Sequence, residues 1–205
     1  AWTVVNASQQ GITHMCVWDP AWGATSTYNS QDASNPAHLK SSSAATINDR
    51  MGSADNASTE CPRAGDNINF RCVFKLFQTA NIRVWCGITT STSVHTSDTA
   101  PANTMALRFS TSAGDTNFQF ITSDATTPNV TNTGIAADTN WHILEIIEQS
   151  GTNVRCYLDG VLVATSSANM PVSGTAERSL ILGRNLAASV CDIGVATIAT
   201  IGDYK

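Results

Sequence analysis

From residue 69 onward, apolar and polar residues alternate in short runs that restart after every turn. Runs at 69–78, 83–89, 105–110, 117–122, about 129–133, 141–149, 153–158, 161–165, 179–183 and 195–201 have the period of two or the β-branched and aromatic content expected of strands. Segments rich in Gly, Pro, Asn, Asp, Ser and Thr separate them, at 90–103, 112–116, 123–128, 136–140 and 170–176. No helical apolar period interrupts the series, so the pattern predicts an all-β sandwich or barrel. The clearest stretch is 141–165, read as three antiparallel strands in a row. Ser150-Gly151-Thr152 supplies its first turn and Asp159-Gly160 its second. Asp-Gly between alternating runs signals a type I′ hairpin, because both central residues need positive φ.

The first 68 residues read differently. Strands are expected at 2–5 and 12–17, the first of them pairing with the C-terminal strand. Beyond Asp19 the chain turns to Pro, Gly, Ser, Ala and Asn. A connection this long without regular structure is unusual inside a compact domain. It is expected to wrap the sandwich or to reach a neighbouring subunit, with one short helical turn at 41–51. The organisation predicted is an irregular N-terminal segment, 1–68, ahead of a sandwich at 69–205.

Composition narrows the function. Of 205 residues only 13% are charged, about half the usual share. The net charge is −5, with 11 basic residues and no basic cluster, which argues against a nucleic-acid groove. No apolar run approaches the ~18 residues of a membrane span, so no membrane insertion is expected. Of the six cysteines, Cys72, Cys86 and Cys156 fall in phase with inward apolar neighbours and are expected as buried free thiols. Cys16, Cys61 and Cys191 lie in or beside loops and are the better disulfide candidates. No Cys/His spacing suits a structural zinc.

Trp141-His142, Gly151-Thr-Asn-Val-Arg155, Tyr157-Leu-Asp-Gly160 and Val161-Leu-Val-Ala-Thr165, with Leu180-Ile-Leu-Gly183, resemble laminin-G-like, concanavalin A-like jelly-roll domains. The resemblance covers about 69–205 and implies an antiparallel jelly-roll β-sandwich. It also implies calcium at the sandwich rim as a candidate ion. The run from Leu107 to Asn117, with Thr133-Gly134, is similar to versions found in structural proteins of tailed bacteriophages.

Catalysis on such a sandwich needs two carboxylates facing one cleft, about 5–5.5 Å apart for retention or about 6.5–9.5 Å for inversion. Glu145 and Glu148 are three apart on one predicted strand and so face opposite ways. Glu60 and Glu177 fall in predicted loops, and Asp159 serves its hairpin. No nucleophile elbow, zinc-protease motif or phosphate loop is present, and no enzyme is expected. Asp98, Asp115, Asp124 and Asp138 are the calcium candidates, since hard cations want several loop oxygens; capping of their own turns is the competing role.

Among the aromatics, Trp141 and Tyr157 read as core and cross-strand packing. Trp18, Trp22 and Tyr28 sit in a turn-rich stretch. They are candidates for a sugar platform, for anchors at a protein interface, or for a cover over one end of the sandwich. The expectation is a non-enzymatic structural or adhesive protein on a virion surface, a capsid decoration (cement) or fibre component. Its partners would be capsid or other virion proteins, copies of itself (a trimer) and a host-surface glycan. The alternative is a calcium-assisted carbohydrate-binding module of a secreted or cell-surface protein.

Overall fold

The computed structural model describes residues 27–29, 39–54, 63–124 and 126–202. The strands expected at 2–5 and 12–17, together with Trp18, Trp22, Cys16 and Cys61, lie outside the described residues. The described strands are β1 (Thr27–Asn29), β2 (Leu39–Ser42), β3 (Arg50–Ala54), β4 (Asn69–Leu76), β5 (Ile82–Thr89), β6 (Thr104–Ser110), β7 (Asn117–Ser123), β8 (Pro128–Ala136), β9 (Trp141–Gln149), β10 (Asn153–Leu158), β11 (Val161–Ser166), β12 (Arg178–Asn185) and β13 (Asp192–Ile201). They form two antiparallel sheets, β1-β2-β13-β4-β9-β10-β11 and β3-β12-β5-β6-β7-β8.

The alternation decides which residues fill the space between the sheets. β4 turns Phe70, Cys72, Phe74 and Leu76 inward, and β5 answers with Ile82, Val84, Cys86 and Ile88. β6, β7 and β9 add Met105, Leu107, Phe109, Phe118, Phe120, Leu144 and Ile146. Phe118 packs edge-on against Phe74 at 5.9 Å and Phe109 at 6.1 Å, a geometry that suits the ring quadrupoles. The 159–160 hairpin has the expected positive φ at both turn residues, 54° and 79°.

Three readings change. Residues 41–51 are not helical: β2 pairs with β13 and β3 with β12, so long-range ladders override a weak local preference. Asn185 pins the turn between them, its Nδ2 donating to the carbonyls of Ala44 (2.9 Å), Thr46 (2.8 Å) and Ser189 (2.9 Å). Trp141 does not enter the core. It lies on the outer face, half-buried, and His142 points inward against Phe74 and Phe118. Cys191, expected as a disulfide candidate, is a buried free thiol, as are Cys72, Cys86 and Cys156.

His142 also explains part of the motif around it. Its Nδ1 reaches Asp159 Oδ2 at 2.8 Å and its Nε2 reaches Asp138 Oδ1 at 3.1 Å. Asp159 Oδ1 accepts from the Ile143 amide at 2.8 Å. The Trp-His strand start and the Asp-Gly hairpin are thus tied to each other through one carboxylate.

Candidate functional site

The register places the outward residues of the six-stranded sheet in rows. Arg184 is the direct cross-strand partner of Arg50 on one side and of Arg83 on the other, and Arg83 partners Ser110. The next row runs Leu182, Trp85, Arg108, Gln119, and the one after it Leu180, Gly87, Ala106, Ile121. Arg50, Arg83, Arg108 and Arg184 thus stand around Trp85 on this sheet face, with Arg178 at the start of β12 in the same phase.

The β5–β6 loop, residues 90–103, lies over much of this face. It contains a single 3-10 turn, Val94–Thr96. Val94 and Ala100 complete a second apolar cluster with Ala54, Trp85, Ala106, Ile121, Leu180 and Leu182. The polar groups beneath are matched by loop oxygens. Trp85 Nε1 donates to the Ser97 carbonyl at 3.2 Å, Arg83 Nη1 to that of His95 at 3.2 Å, and Arg108 Nη1 to that of Asp98.

Two of the arginines are neutralised within the chain. Arg83 Nε donates to Asp98 at 2.6 Å, and Ser110 and Ser112 also donate to that carboxylate. Burial pulls the Asp98 pKa upward, but these hydrogen bonds and the Arg83 charge outweigh it and bring it down to about 2. Arg108 grips Asp115 in a bidentate pair, both bonds 3.0 Å, with its guanidinium over the Trp85 ring at 5.7 Å.

Where β3 and β12 run out beside the loop, a cleft of about 300 Å³ stays open. Arg50 and Arg184 line it, with Asn48 and Asp49 from the turn before β3. Ser93, His95 and Thr96 line it from the loop. Arg184 Nε is buried and has no hydrogen-bond partner among the described residues. Burial first, then the flanking charges of Arg83 and Arg50, lower the Arg184 pKa, with Asp49 offsetting them in part. Like charges directly opposite on neighbouring strands are destabilising, so this row is maintained against a local cost. His95 Nδ1 lies 3.0 Å from the Thr92 carbonyl. A carbonyl only accepts, so Nδ1 carries the proton and a neutral ring leaves Nε2 as an acceptor. Burial, followed by Arg184 and Arg50, lowers the His95 pKa to about 4, and the ring is neutral at neutral pH.

The aspartates chosen from the sequence have these places. Asp98 and Asp115 meet around Ser110 in the arginine network. Asp124 caps its own turn, accepting from the Thr126 and Thr127 amides at 2.7 and 2.9 Å. Asp138 accepts from the Asn140 amide at 2.6 Å besides meeting His142. Among the described residues, no three His, Cys, Asp or Glu side chains gather as a metal site. Tyr28 lies on β1, the three-residue edge strand of the other sheet.

Glu145 faces outward and pairs with Arg71 at 3.1 Å, while Glu148 faces inward, where it accepts from the Gly65 amide at 2.7 Å and the Ile68 amide at 3.3 Å. Glu177 is fully buried with neither carboxylate oxygen hydrogen-bonded. Burial, and then the Glu148 charge, push its pKa well up. The cleft residues Arg50, His95 and Arg184 were not singled out from the sequence. Each stands at an outward strand position or in a loop, and only the register of three strands distant in sequence aligns them.

Similarity to known proteins agrees with the topology. No curated protein matches the sequence significantly. Among solved structures, the carbohydrate recognition domain of Emp47p superposes with a TM-score of 0.59 at 7% identity, over 89% of this chain and 90% of that one. A prokaryotic β-1,3-1,4-glucanase (lichenase) from a mouse hindgut metagenome gives 0.56 at 14%, over 95% and 89%. A sialidase gives 0.54 at 12% over 80% of this chain, which spans only 15% of the sialidase's length. At such identities these likenesses speak for the fold alone. A family profile, by contrast, matches residues 65–192 directly. With its two antiparallel sheets and its linked Trp-His and Asp-Gly elements, the chain belongs to the concanavalin A-like lectin/glucanases superfamily.

Proposed function

We propose that this protein is a non-catalytic glycan-binding and adhesive domain whose ligand enters the cleft beside the β5–β6 loop. The observation that carries this reading is the fate of the sheet face above β5, β6 and β12. The 90–103 loop packs over part of it, and a polar opening lies beside the loop. Among the described residues that line this opening, Asp49 is the sole carboxylate, set among two arginines, a histidine and hydroxyl or amide groups.

Among the described residues that line the cleft, Asp49 is a single carboxylate where glycoside hydrolysis uses two. A general acid needs a pKa raised toward the working pH, and Asp98 is held in the opposite direction. Asp115 is committed to Arg108 on both oxygens. The carboxyls with raised pKa values, Glu148 and Glu177, are 2% and 0% exposed and out of a substrate's reach. The likeness to the Emp47p domain, itself a carbohydrate recognition domain, supports glycan binding as a use of this fold.

The setting we propose is an exposed surface, the virion surface of a bacteriophage in the first place. That part rests on the similarity of the 107–117 run to phage structural proteins. Among the described residues no helix is long and apolar enough to cross a membrane. Oligomerisation through the N-terminal segment carrying Trp18, Trp22 and Tyr28 completes the proposal.

A glycan array at high protein concentration, run with and without EDTA and paired with hydrolysis assays on β-glucans, tests it. Binding of defined glycans, retained in EDTA and without bond cleavage, is the expected result. No binding to any glycan, or hydrolysis lost on Glu145→Gln or Glu148→Gln, would overturn it. Light scattering on the same sample reports whether the chain assembles.

A further inference from the structure

We propose that the cleft between β3, β12 and the β5–β6 loop holds the carboxylate of an acidic sugar, with the guanidinium groups of Arg50 and Arg184 as its receptor. The inference rests on the glycan-binding reading and adds the chemical class of the ligand.

The sheet face itself supplies the argument. Two of its arginines share one arrangement: each of Arg83 and Arg108 meets a carboxylate that is further held by hydroxyl or amide donors. Asp98 takes Arg83, Ser110 and Ser112; Asp115 takes both arms of Arg108 and the Ser110 amide. Arg184 stands in register between Arg83 and Arg50. Its Nε is buried without an acceptor among the described residues, a condition that costs free energy. Among the described residues that line the cleft, two guanidinium groups stand with one carboxylate, that of Asp49. With His95 neutral, these described lining residues together carry one net positive charge. A planar carboxylate matches the guanidinium fork better than a spherical anion does.

The rest of the lining suits a sugar ring. Ser93 offers a hydroxyl group, Asn48 an amide, and Thr96 a hydroxyl oxygen that can accept while its proton is donated to the Ser93 carbonyl at 2.8 Å. A volume of about 300 Å³ lies at the lower end for small-molecule pockets and limits the ligand to one or two rings. The loop that roofs the cleft is fixed to the sheet by the Arg83–Asp98 pair and by the Trp85 and Arg83 bonds to its carbonyls. The roof residues are therefore pre-positioned, which lowers the ordering cost of binding.

Calorimetric titration of the whole chain with N-acetylneuraminic acid, glucuronic acid, glucose and acetate tests the inference. At least one of the two acidic sugars should bind ten-fold or more tightly than glucose and acetate, and which one identifies the sugar class. Raising salt should weaken that binding. Arg184→Gln and Arg50→Gln should each weaken it ten-fold or more with unchanged melting behaviour, whereas Arg155→Gln, on the other sheet, should not. Should Arg184→Gln fail to fold, Arg50→Gln and Arg184→Lys carry the same test, since lysine keeps the charge and loses the fork. Acidic and neutral sugars binding alike would overturn the inference and leave the glycan reading standing. So would acidic-sugar binding that survives both arginine substitutions. Acetate binding as tightly as the sugars would show that only charge is read and would overturn it too. Absence of binding to every sugar here and to every glycan on the array would remove the glycan reading itself.

Discussion

Strands β4 and β9 of one sheet and β5 and β6 of the other are written in the same alternating code, yet their outward residues meet different surroundings. On β4 and β9 the inward positions are buried while the outward ones, among them Arg71, Lys75, Trp141 and Glu145, stay exposed or half-buried. On β5 and β6 every residue is buried, including the outward Arg83, Trp85 and Arg108. The difference comes from residues 90–103, which cover one outer face and have no counterpart on the other among the described residues. Alternation says which way a side chain points; it does not say what covers that direction. The covered face is where guanidinium groups lose water and acquire specific partners, and it borders the cleft proposed above to take a ligand.

The largest expected contrast is between two tryptophans. Trp85 is fully buried, stacks under Arg108 and anchors Ser97, whereas Trp141 is half-buried on the open face. Trp85→Ala should cost about 3–5 kcal/mol, the range for deleting a buried aromatic. Trp141→Ala should cost about 1 kcal/mol, nearer the typical substitution. Urea unfolding of both variants measures this. Equal losses would mean that the loop does not shield its face in solution.

A second contrast compares ion pairs. The side chains of Arg108 and Asp115 are 10% and 7% exposed; those of Arg71 and Glu145 are 49% and 29% exposed. Removing one partner of the buried pair should cost about 3–5 kcal/mol, since it strands a desolvated charge. Removing one partner of the open pair should cost about 0.2–1 kcal/mol. Double-mutant cycles at the two pairs provide the comparison, and a large coupling at Arg71–Glu145 would break it.

These contrasts also mark how much the sequence discloses. The hairpin at 159–160, the order of strands from β4 to β13 and the inward phase of Phe70, Cys72, Cys86 and Cys156 follow from local pattern, because period and turn chemistry are local properties. The placement of β2 and β3 does not, since their partners β13 and β12 lie more than 120 residues away along the chain. Trp141 misleads because a large aromatic at a strand start invites a core reading, while phase assigns the core to His142. The cleft is the least legible part. Arg50, Arg184 and Arg83 are unremarkable one by one, and their row exists only after three strands take register. Asp98 and Asp115 are read from the sequence as calcium candidates or turn caps, whereas the structure pairs them with Arg83 and Arg108, a pairing that local pattern does not disclose.

The smallest effect tests whether acid opens the covered face before the rest of the molecule. The folded pKa of Asp98 lies at about 2, below its ordinary value of 3.8. A depressed carboxylate contributes stability that is present above the unfolded pKa and is lost as pH falls through the folded one. Asp98 therefore supports the fold at pH 5 and above, and that support should fade between about pH 4 and pH 2. Its carboxylate is 31% exposed, so solvent screening reduces the contribution to about 1 kcal/mol. Other carboxylates titrate in the same window, and the informative quantity is thus the difference between the wild-type chain and Asp98→Asn. That difference should be near its full value at pH 5 and should shrink toward zero at pH 2. Hydrogen exchange over the same range should show the Ser97 and Trp85 region losing protection ahead of β4 and β9, because Arg83 and Ser112 lose the acceptor that holds the loop down. A difference that stays constant with pH would mean that the Arg83–Asp98 pair does not hold the loop, and the roof of the cleft would then depend on the bonds from Trp85, Arg83 and Arg108 to its carbonyls and on the apolar contacts of Val94 and Ala100.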